Sequence, residues 1–126
     1  MDNTTKLTHF AEHLQQADGL LITAGAGMGV DSGLPDFRGD QGFWKAYPPL
    51  KHLGKSFVDM ATPELFYTDP KLAWGFYGLR LNAYRAVEPH QGFHLLKKWS
   101  ETLPNLKNGS FVFTSNVNGE FQKVGF

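Results

Sequence analysis

Two short β-rich runs that lie far apart in the chain limit the folds it can adopt. The first, residues 20–24 (LLITA), is apolar and uninterrupted, as a strand buried on both faces would be. The second, residues 110–114 (SFVFT), follows the turn signal Asn108-Gly109 and predicts another buried strand. Helical patterns separate the two runs, and strand, helical crossover and strand together form the building block of parallel sheets. The sequence therefore predicts an α/β fold in which helices flank a parallel sheet.

Three segments carry apolar residues at helical spacing. Residues 6–17, residues 71–87 and residues 92–101 each place their apolar side chains on one stripe, which is typical of amphipathic helices. Thr4 or Thr5 is positioned to cap the first of these helices. Between the glycine-rich segment and the second helix, frequent prolines and aromatic residues predict brief helical turns.

The segment directly after the first strand is rich in glycine. Residues 25–42 contain six glycines and Pro35 but no sustained apolar period, which predicts a long, shaped loop. The small residues Gly25, Ala26 and Gly27 would let backbone N–H groups approach a pyrophosphate. Taken alone, the same pattern is equally typical of a tight strand-to-helix turn that uses glycine for packing.

Composition excludes several classes of protein. A chain of 126 residues allows one domain and no second one. Twelve basic residues balance twelve acidic ones, so no net field would steer the chain onto nucleic acid or an anionic membrane. Without cysteine there is no disulfide, no Cys-ligated zinc and no thiol nucleophile. Neither a signal peptide nor a membrane-spanning run is recognisable, so we expect a cytoplasmic protein.

Fourteen consecutive residues, 25–38 (GAGMGVDSGLPDFR), resemble the cofactor loop of the sirtuins nearly residue for residue. Sirtuins are NAD-dependent protein-lysine deacylases. The resemblance implies NAD as the cofactor and a Rossmann-like parallel sheet with flanking helices. It also implies that residues 1–126 are the incomplete, first half of a sirtuin catalytic domain.

The resemblance assigns roles to five residues of this loop. The backbone at Ala26 and Gly27 would hold the pyrophosphate, and Asp36 would help to form the nicotinamide pocket. Phe37 would cover the reacting ribose, and Arg38 would lie by the phosphate and ribose. Loss of nicotinamide leaves positive charge on the sugar, which an aromatic lid would protect from water. The alternatives are core packing for Phe37 and a surface ion pair for Arg38.

Residues 114–118 (TSNVN) resemble a second sirtuin motif, in which Thr-Gln-Asn precedes an apolar residue and an aspartate. Thr114 and Asn116 match, and the resemblance implies that Asn116 contacts the nicotinamide ribose. Ser115 replaces the glutamine and has a shorter reach to a ribose hydroxyl, and we count it among the candidate cofactor-binding residues. Asn118 replaces the aspartate, which removes an anion that could stabilise a developing cation. Asn116 and Asn118 are the candidate catalytic residues, and we expect weakened cofactor activation.

Further departures from the sirtuin pattern indicate a divergent, bacterial-like branch or an impaired member. Phe121 stands in place of a histidine and Gly29 in place of a serine. The motif of the catalytic-base histidine, the cysteine pairs of the zinc module and the later strands are not found. A sheet of two strands leaves edges unpaired. We therefore expect either a missing C-terminal half or self-association.

Two histidine patterns raise the question of a metal. His90 and His94 are four residues apart, but no cysteine or carboxylate cluster accompanies them, and we predict no metal. His9, Glu12 and His13 fit the inverted zinc-protease pattern. On a helical wheel these three lie opposite the apolar stripe, which predicts a solvent-exposed face and argues against a protease.

The sequence leaves several functions open. The leading hypothesis is an NAD-dependent deacylase in which the oxygen of an acylated lysine in a protein or peptide attacks the ribose carbon and releases nicotinamide. A non-catalytic NAD or ADP-ribose binding module is the alternative, as is an NAD hydrolase or ADP-ribosyltransferase. A dehydrogenase is disfavoured, because the third glycine of its fingerprint would fall at Val30 and no acidic residue follows at the expected distance.

Overall fold

A computed structural model describes residues 2–35 and 39–126 of the chain. It contains helices and one two-stranded sheet. None of the helices within the described residues is both long enough and apolar enough to cross a membrane. The elements in chain order are α1 (Asn3–Gln16), β1 (Leu20–Ala24), a 3-10 helix (Ala26–Ser32), α2 (Gly39–Ala46), α3 (Pro48–His52), α4 (Phe57–Met60), α5 (Leu65–Thr68), α6 (Pro70–Ala86), α7 (Gln91–Thr102), β2 (Ser110–Thr114) and α8 (Glu120–Lys123).

Strands β1 and β2 pair in parallel, with Leu20 opposite Ser110 and Ala24 opposite Thr114. Both predicted strands and their parallel orientation are therefore confirmed. Because the strands run in the same direction, their carboxyl ends meet at one edge of the sheet. The glycine-rich segment leaves β1 at this edge, and the residues that follow Thr114 leave β2 beside it.

The prediction that both strands are buried, the first on both of its faces, is wrong. Ile22 is buried, whereas Leu21 is 67% exposed and Phe111 and Phe113 are 66% and 68% exposed. Side chains alternate between the faces of a strand. One face packs against α7 and α8 in a cluster that we call the sheet core, while the other face stays open. The buried members of the sheet core are Ile22, Phe93 and Phe121.

Helix α1 starts earlier than predicted, and its cap is Asp2 rather than Thr4 or Thr5. The Asp2 carboxylate accepts a hydrogen bond from the backbone N–H of Thr5 at 2.7 Å, and this bond lowers the pKa of Asp2. The carboxylate of Asp2, two residues before Thr4, thus satisfies a free N–H group of the first turn. No residue of α1 is buried, and its contact with α7 includes the ring of Phe10.

The glycine-rich segment is less irregular than predicted. Instead of one long loop, it forms the 3-10 helix, and α2 already begins at Gly39. The 3-10 helix ends at Gly33, whose φ of +93° lies in the left-handed region that favours glycine. The amide of Leu34 then donates to the carbonyl of Gly29 at 3.2 Å, which folds the chain back on the helix.

A second core lies among α2 to α6 and is rich in aromatic rings. The brief helical turns predicted for this region are confirmed. Prolines occupy the first turn of α3 and of α6, and Ser56 forms a capping box with Asp59 at the start of α4. The buried members of this helical core are Phe43, Leu50, Met60, Leu65, Ala73 and Phe76.

A candidate nucleotide cleft at the carboxyl edge of the sheet

A cleft of about 320 Å³ opens where the two strands end. Four residues singled out in the sequence line it together, Ala26 from the glycine-rich segment and Ser115, Asn116 and Asn118 from the segment after β2. Open α/β sheets bind ligands at this position, outside the carboxyl ends of their strands. The pairing of β1 with β2 is thus what joins the two motifs into one site.

Asn116 is held by hydrogen bonds that link the two motifs. The Thr114 hydroxyl donates to the carbonyl of Ala24 at 2.8 Å and accepts from the amide of Asn116 at 3.0 Å. The side-chain amide of Asn116 donates to the carbonyl of Gly25 at 2.8 Å. Threonine and asparagine in this motif therefore fasten the end of β2 to the start of the glycine-rich segment. The contact of Asn116 with a ribose stays a prediction.

The residues predicted to hold a pyrophosphate open the 3-10 helix. Gly25 is its N-cap in extended conformation, and Ala26 and Gly27 are its first two residues. The first N–H groups of a helix have no partner within it. Gly25, Ala26 and Gly27 are exposed, so these groups are accessible to a ligand.

Three predicted site residues, Asp36, Phe37 and Arg38, lie outside the described residues. Their roles stay predictions. The residue before them, Pro35, lines the cleft.

Sequence reasoning missed the far wall of the cleft, which includes Phe57, Arg80 and Tyr84. Arg80 donates from Nε and Nη2 to the Tyr84 hydroxyl at 3.0 and 2.6 Å, and its guanidinium lies 5.4 Å from the Phe76 ring centroid. Arg80 is the one charged side chain among the described residues that line the cleft. Burial raises the pKa of the Tyr47 phenol nearby, and Arg80 opposes that shift. The four-residue spacing of Arg80 and Tyr84 on a predicted helix was the available signal.

His90 tethers the 3-10 helix to α7. Its Nε2 is 2.8 Å from the carbonyl of Met28, and its Nδ1 accepts from the backbone N–H of Gly92 at 2.9 Å. Because Nδ1 accepts, the proton of the neutral ring belongs on Nε2, which donates to Met28. The backbone N–H of His90 also donates to the Ser32 hydroxyl at 3.0 Å. Both ring nitrogens are thus engaged in structural hydrogen bonds.

His90 has two roles, since Nδ1 caps the start of α7 and Nε2 holds the carbonyl of Met28. Replacing His90 with asparagine should separate the cap from the tether. Asparagine is a good N-cap for α7 but is too short to reach Met28, so we expect loss of one hydrogen bond, about 1 kcal/mol. Hydrogen–deuterium exchange in residues 26–33 should accelerate about fivefold, with little change in α7. His94→Asn is the matched control, since His94 is exposed on the same helix. Equal exchange in both variants would contradict the tether.

Asn118 pairs with a buried carboxylate that sequence reasoning did not single out. The amide of Asn118 donates to Oε2 of Glu120 at 3.0 Å, and the backbone N–H of Glu120 donates to Oδ1 of Asn118 at 3.2 Å. Glu120 is fully buried, and its Oε1 has no hydrogen-bond partner among the described residues. A Cβ atom on Gly29 would lie 2.8 Å from Oε2 of Glu120. Glycine at position 29 therefore makes room for this pair.

The zinc-protease pattern on α1 lies on an exposed face of the helix. His9, Glu12 and His13 are all exposed, as the helical wheel predicts. Within the described ranges, no three histidine, cysteine or acidic side chains come together in a way that could hold a metal ion.

The chain is similar in sequence to known deacylases. An NAD-dependent protein deacylase of Candida albicans is 34% identical over 120 residues, which cover 95% of this chain and 36% of the relative. An NAD-dependent protein deacetylase of Saccharolobus solfataricus is 35% identical over 115 residues, which cover 91% of this chain and 41% of the relative. The chain thus spans about two fifths of the length of these curated relatives.

Solved structures and a family model agree with this similarity. A mutant Sir2 homologue in complex with ADP-ribose has a TM-score of 0.70 at 26% identity, over 99% of this chain and 43% of that chain. Another such complex has a TM-score of 0.71 at 23% identity and supports the predicted fold alone. The model of the Sir2 family matches residues 25–126, which include both motifs and the cleft between them. The chain therefore belongs to the Sir2 family, as its resemblance to the sirtuins predicts.

Proposed function

We propose that this chain binds NAD in the cleft and forms the NAD-binding part of an NAD-dependent protein-lysine deacylase. The observation that carries the proposal is the union of Ala26 with Ser115, Asn116 and Asn118 in one cleft at the carboxyl edge of the sheet. The relatives named above are NAD-dependent deacylases, and a homologue of similar fold binds ADP-ribose. These similarities support the same ligand for this chain.

The residues of the cleft fit a dinucleotide. The open N–H groups of Ala26 and Gly27 would hold the pyrophosphate, with Arg38 beside it, because backbone N–H groups and a guanidinium both favour anions. Asn116 and Ser115 would hydrogen bond the nicotinamide ribose. Apolar side chains such as Leu34 and Val117 line the remaining wall and would exclude water.

The remaining site residues would act on the nicotinamide end. When bound, NAD supplies a glycosidic bond whose cleavage releases nicotinamide and leaves an electrophilic sugar. Asp36 would orient the carboxamide and Phe37 would shield the sugar from water, which would favour an acyl oxygen over hydrolysis. Asn118 would line the cleft at the same nicotinamide end. An acylated lysine of a protein or peptide is the proposed second substrate.

Calorimetric titration with NAD and ADP-ribose tests the binding proposal. We expect both ligands to bind the wild-type chain, and Asn116→Ala to weaken NAD binding about tenfold, because it removes a ribose contact and the bond to Gly25. Asn82→Ala is the matched control, since Asn82 is exposed on α6. Failure of the wild-type chain to bind either ligand would overturn the proposal, and so would equal affinities for the two variants.

A non-catalytic NAD or ADP-ribose binding module is the second candidate. Asn118 favours it, because a neutral amide stands where the sirtuin motif has a carboxylate. Nicotinamide release from NAD separates the candidates, since binding without release supports the module. Release without an acylated peptide would instead indicate NAD hydrolysis or ADP-ribosyl transfer.

We also propose that further protein surface covers the open face of the sheet. Leu21, Phe111 and Phe113 lie together on this face and are about two-thirds exposed. Contiguous exposed apolar surface of this kind favours association. Either additional residues of a longer polypeptide or a second copy of the chain would bury it.

A further inference from the structure

Two positions at which this chain departs from the sirtuin pattern contact the same side chain. Asn118 donates to Oε2 of Glu120 at 3.0 Å, and Gly29 leaves the space that this oxygen occupies. A Cβ atom on Gly29 would also lie 3.1 Å from Nδ2 of Asn118. Gly29, Asn118 and Glu120 are therefore one packed unit, although residue 29 is far from the other two in sequence.

Glu120 is an unusual residue to bury. It is fully inaccessible to solvent, and its Oε1 lacks a hydrogen-bond partner among the described residues. A buried carboxylate oxygen without a partner is destabilising, so its presence calls for a reason. The amide of Asn118 touches this carboxylate and also lines the cleft, so Glu120 is separated from the cleft by a single side chain.

A hydrogen bond from an amide to a carboxylate polarises the amide and fixes its orientation. The donor group of Asn118 points to Glu120, and its Oδ1 accepts from the backbone of Glu120 while keeping a second lone pair. A negative charge on Glu120 behind Asn118 would strengthen this oxygen as an acceptor. It would also give this part of the cleft wall a negative potential that a lone asparagine would lack.

We propose that Glu120 is a positioning residue that orients the Asn118 amide and supplies, through it, a negative potential that favours a cationic ligand group. The inference rests on the proposed function and names the relevant group as the positively charged nicotinamide ring of oxidised NAD. Glu120 thus compensates for the missing carboxylate at position 118.

Glu120→Gln tests the charge while keeping the shape, because the glutamine carbonyl can still accept from Asn118. Affinities for NAD⁺, NADH and ADP-ribose are measured by calorimetry, since NADH carries a neutral nicotinamide and ADP-ribose carries none. We expect the variant to lose about five- to tenfold in affinity for NAD⁺, as for one partly screened charge, and less than about twofold for the other two ligands. Glu12→Gln, on the exposed face of α1, is the matched control.

A double variant, Asn118→Asp with Glu120→Gln, tests the same idea without relying on the single variant. It exchanges the positions of amide and carboxylate, so we expect the ratio of NAD⁺ to NADH affinity to match that of the wild-type chain. Equal losses for all three ligands in Glu120→Gln, no loss, or a lowered ratio in the double variant would overturn the inference. If the wild-type chain binds none of the three ligands, the proposed function itself fails.

Discussion

Phe93→Ala is expected to lower the free energy of unfolding by about 3–5 kcal/mol, the range observed when a fully buried aromatic ring is truncated. Phe93 is completely buried, and its ring centroid lies 4.9 Å from that of His90 and 4.8 Å from that of Phe121. The truncation would leave a cavity beneath the sheet. Because His90 holds the carbonyl of Met28, we also expect NAD affinity to fall.

Urea denaturation followed by circular dichroism measures this effect. Phe10→Ala is the matched control, because the Phe10 ring is half exposed and packs at the surface on Trp99. We expect the control to lose about 1 kcal/mol or less. Similar losses in the two variants would mean that the sheet core does not dominate the stability of the chain.

Gly29→Ser is the second change with a large expected effect, a loss of about 1–3 kcal/mol of stability from overpacking. The new Cβ atom would lie 2.8 Å from Oε2 of Glu120 and 3.0 Å from Cδ1 of Leu34. Glu120 is fully buried, so its carboxylate has no solvent to move into. Serine at this position should therefore disturb the pair formed by Asn118 and Glu120.

A double-mutant cycle shows whether Glu120 is the cause. Glu120→Ala removes the clashing oxygen, so the serine should destabilise the Glu120→Ala background by less than it destabilises the wild-type chain. Gly75→Ser is the matched control, because nothing lies within 4 Å of the position of its Cβ atom. Additive effects of the two substitutions in thermal unfolding would argue that the serine clashes elsewhere.

Much of the local structure could be predicted because its causes are local. The runs at residues 20–24 and 110–114 are flanked by glycine or turn residues, and both strands have these bounds. Capping was predicted less well. Several residues near a helix start can compete to be its cap. Asp2 is the cap here, rather than Thr4 or Thr5, because the helix begins at Asn3 and the Asp2 carboxylate accepts from the N–H of Thr5.

Other features depended on which elements pack together. Alternating exposure in β2 follows from the cover that α7 and α8 give to one face, and the composition of the strand contains no sign of it. Arg80 and Tyr84 could be placed on one helix face, but their position across the cleft from Asn116 required the folded chain. The roles of Asp36, Phe37 and Arg38 rest on sequence resemblance alone.

The sequence by itself determined the family, the strands, the parallel α/β arrangement and two motifs for an NAD site. Short runs of adjacent residues specify the strands and the motifs, and the helical crossover between the strands predicts that they are parallel. Only the tertiary structure decided that Gly29, Asn118 and Glu120 form one unit. Residue 29 is distant in the chain from the other two, and close packing rather than local preference brings it so near to them that a Cβ atom at position 29 would have no room.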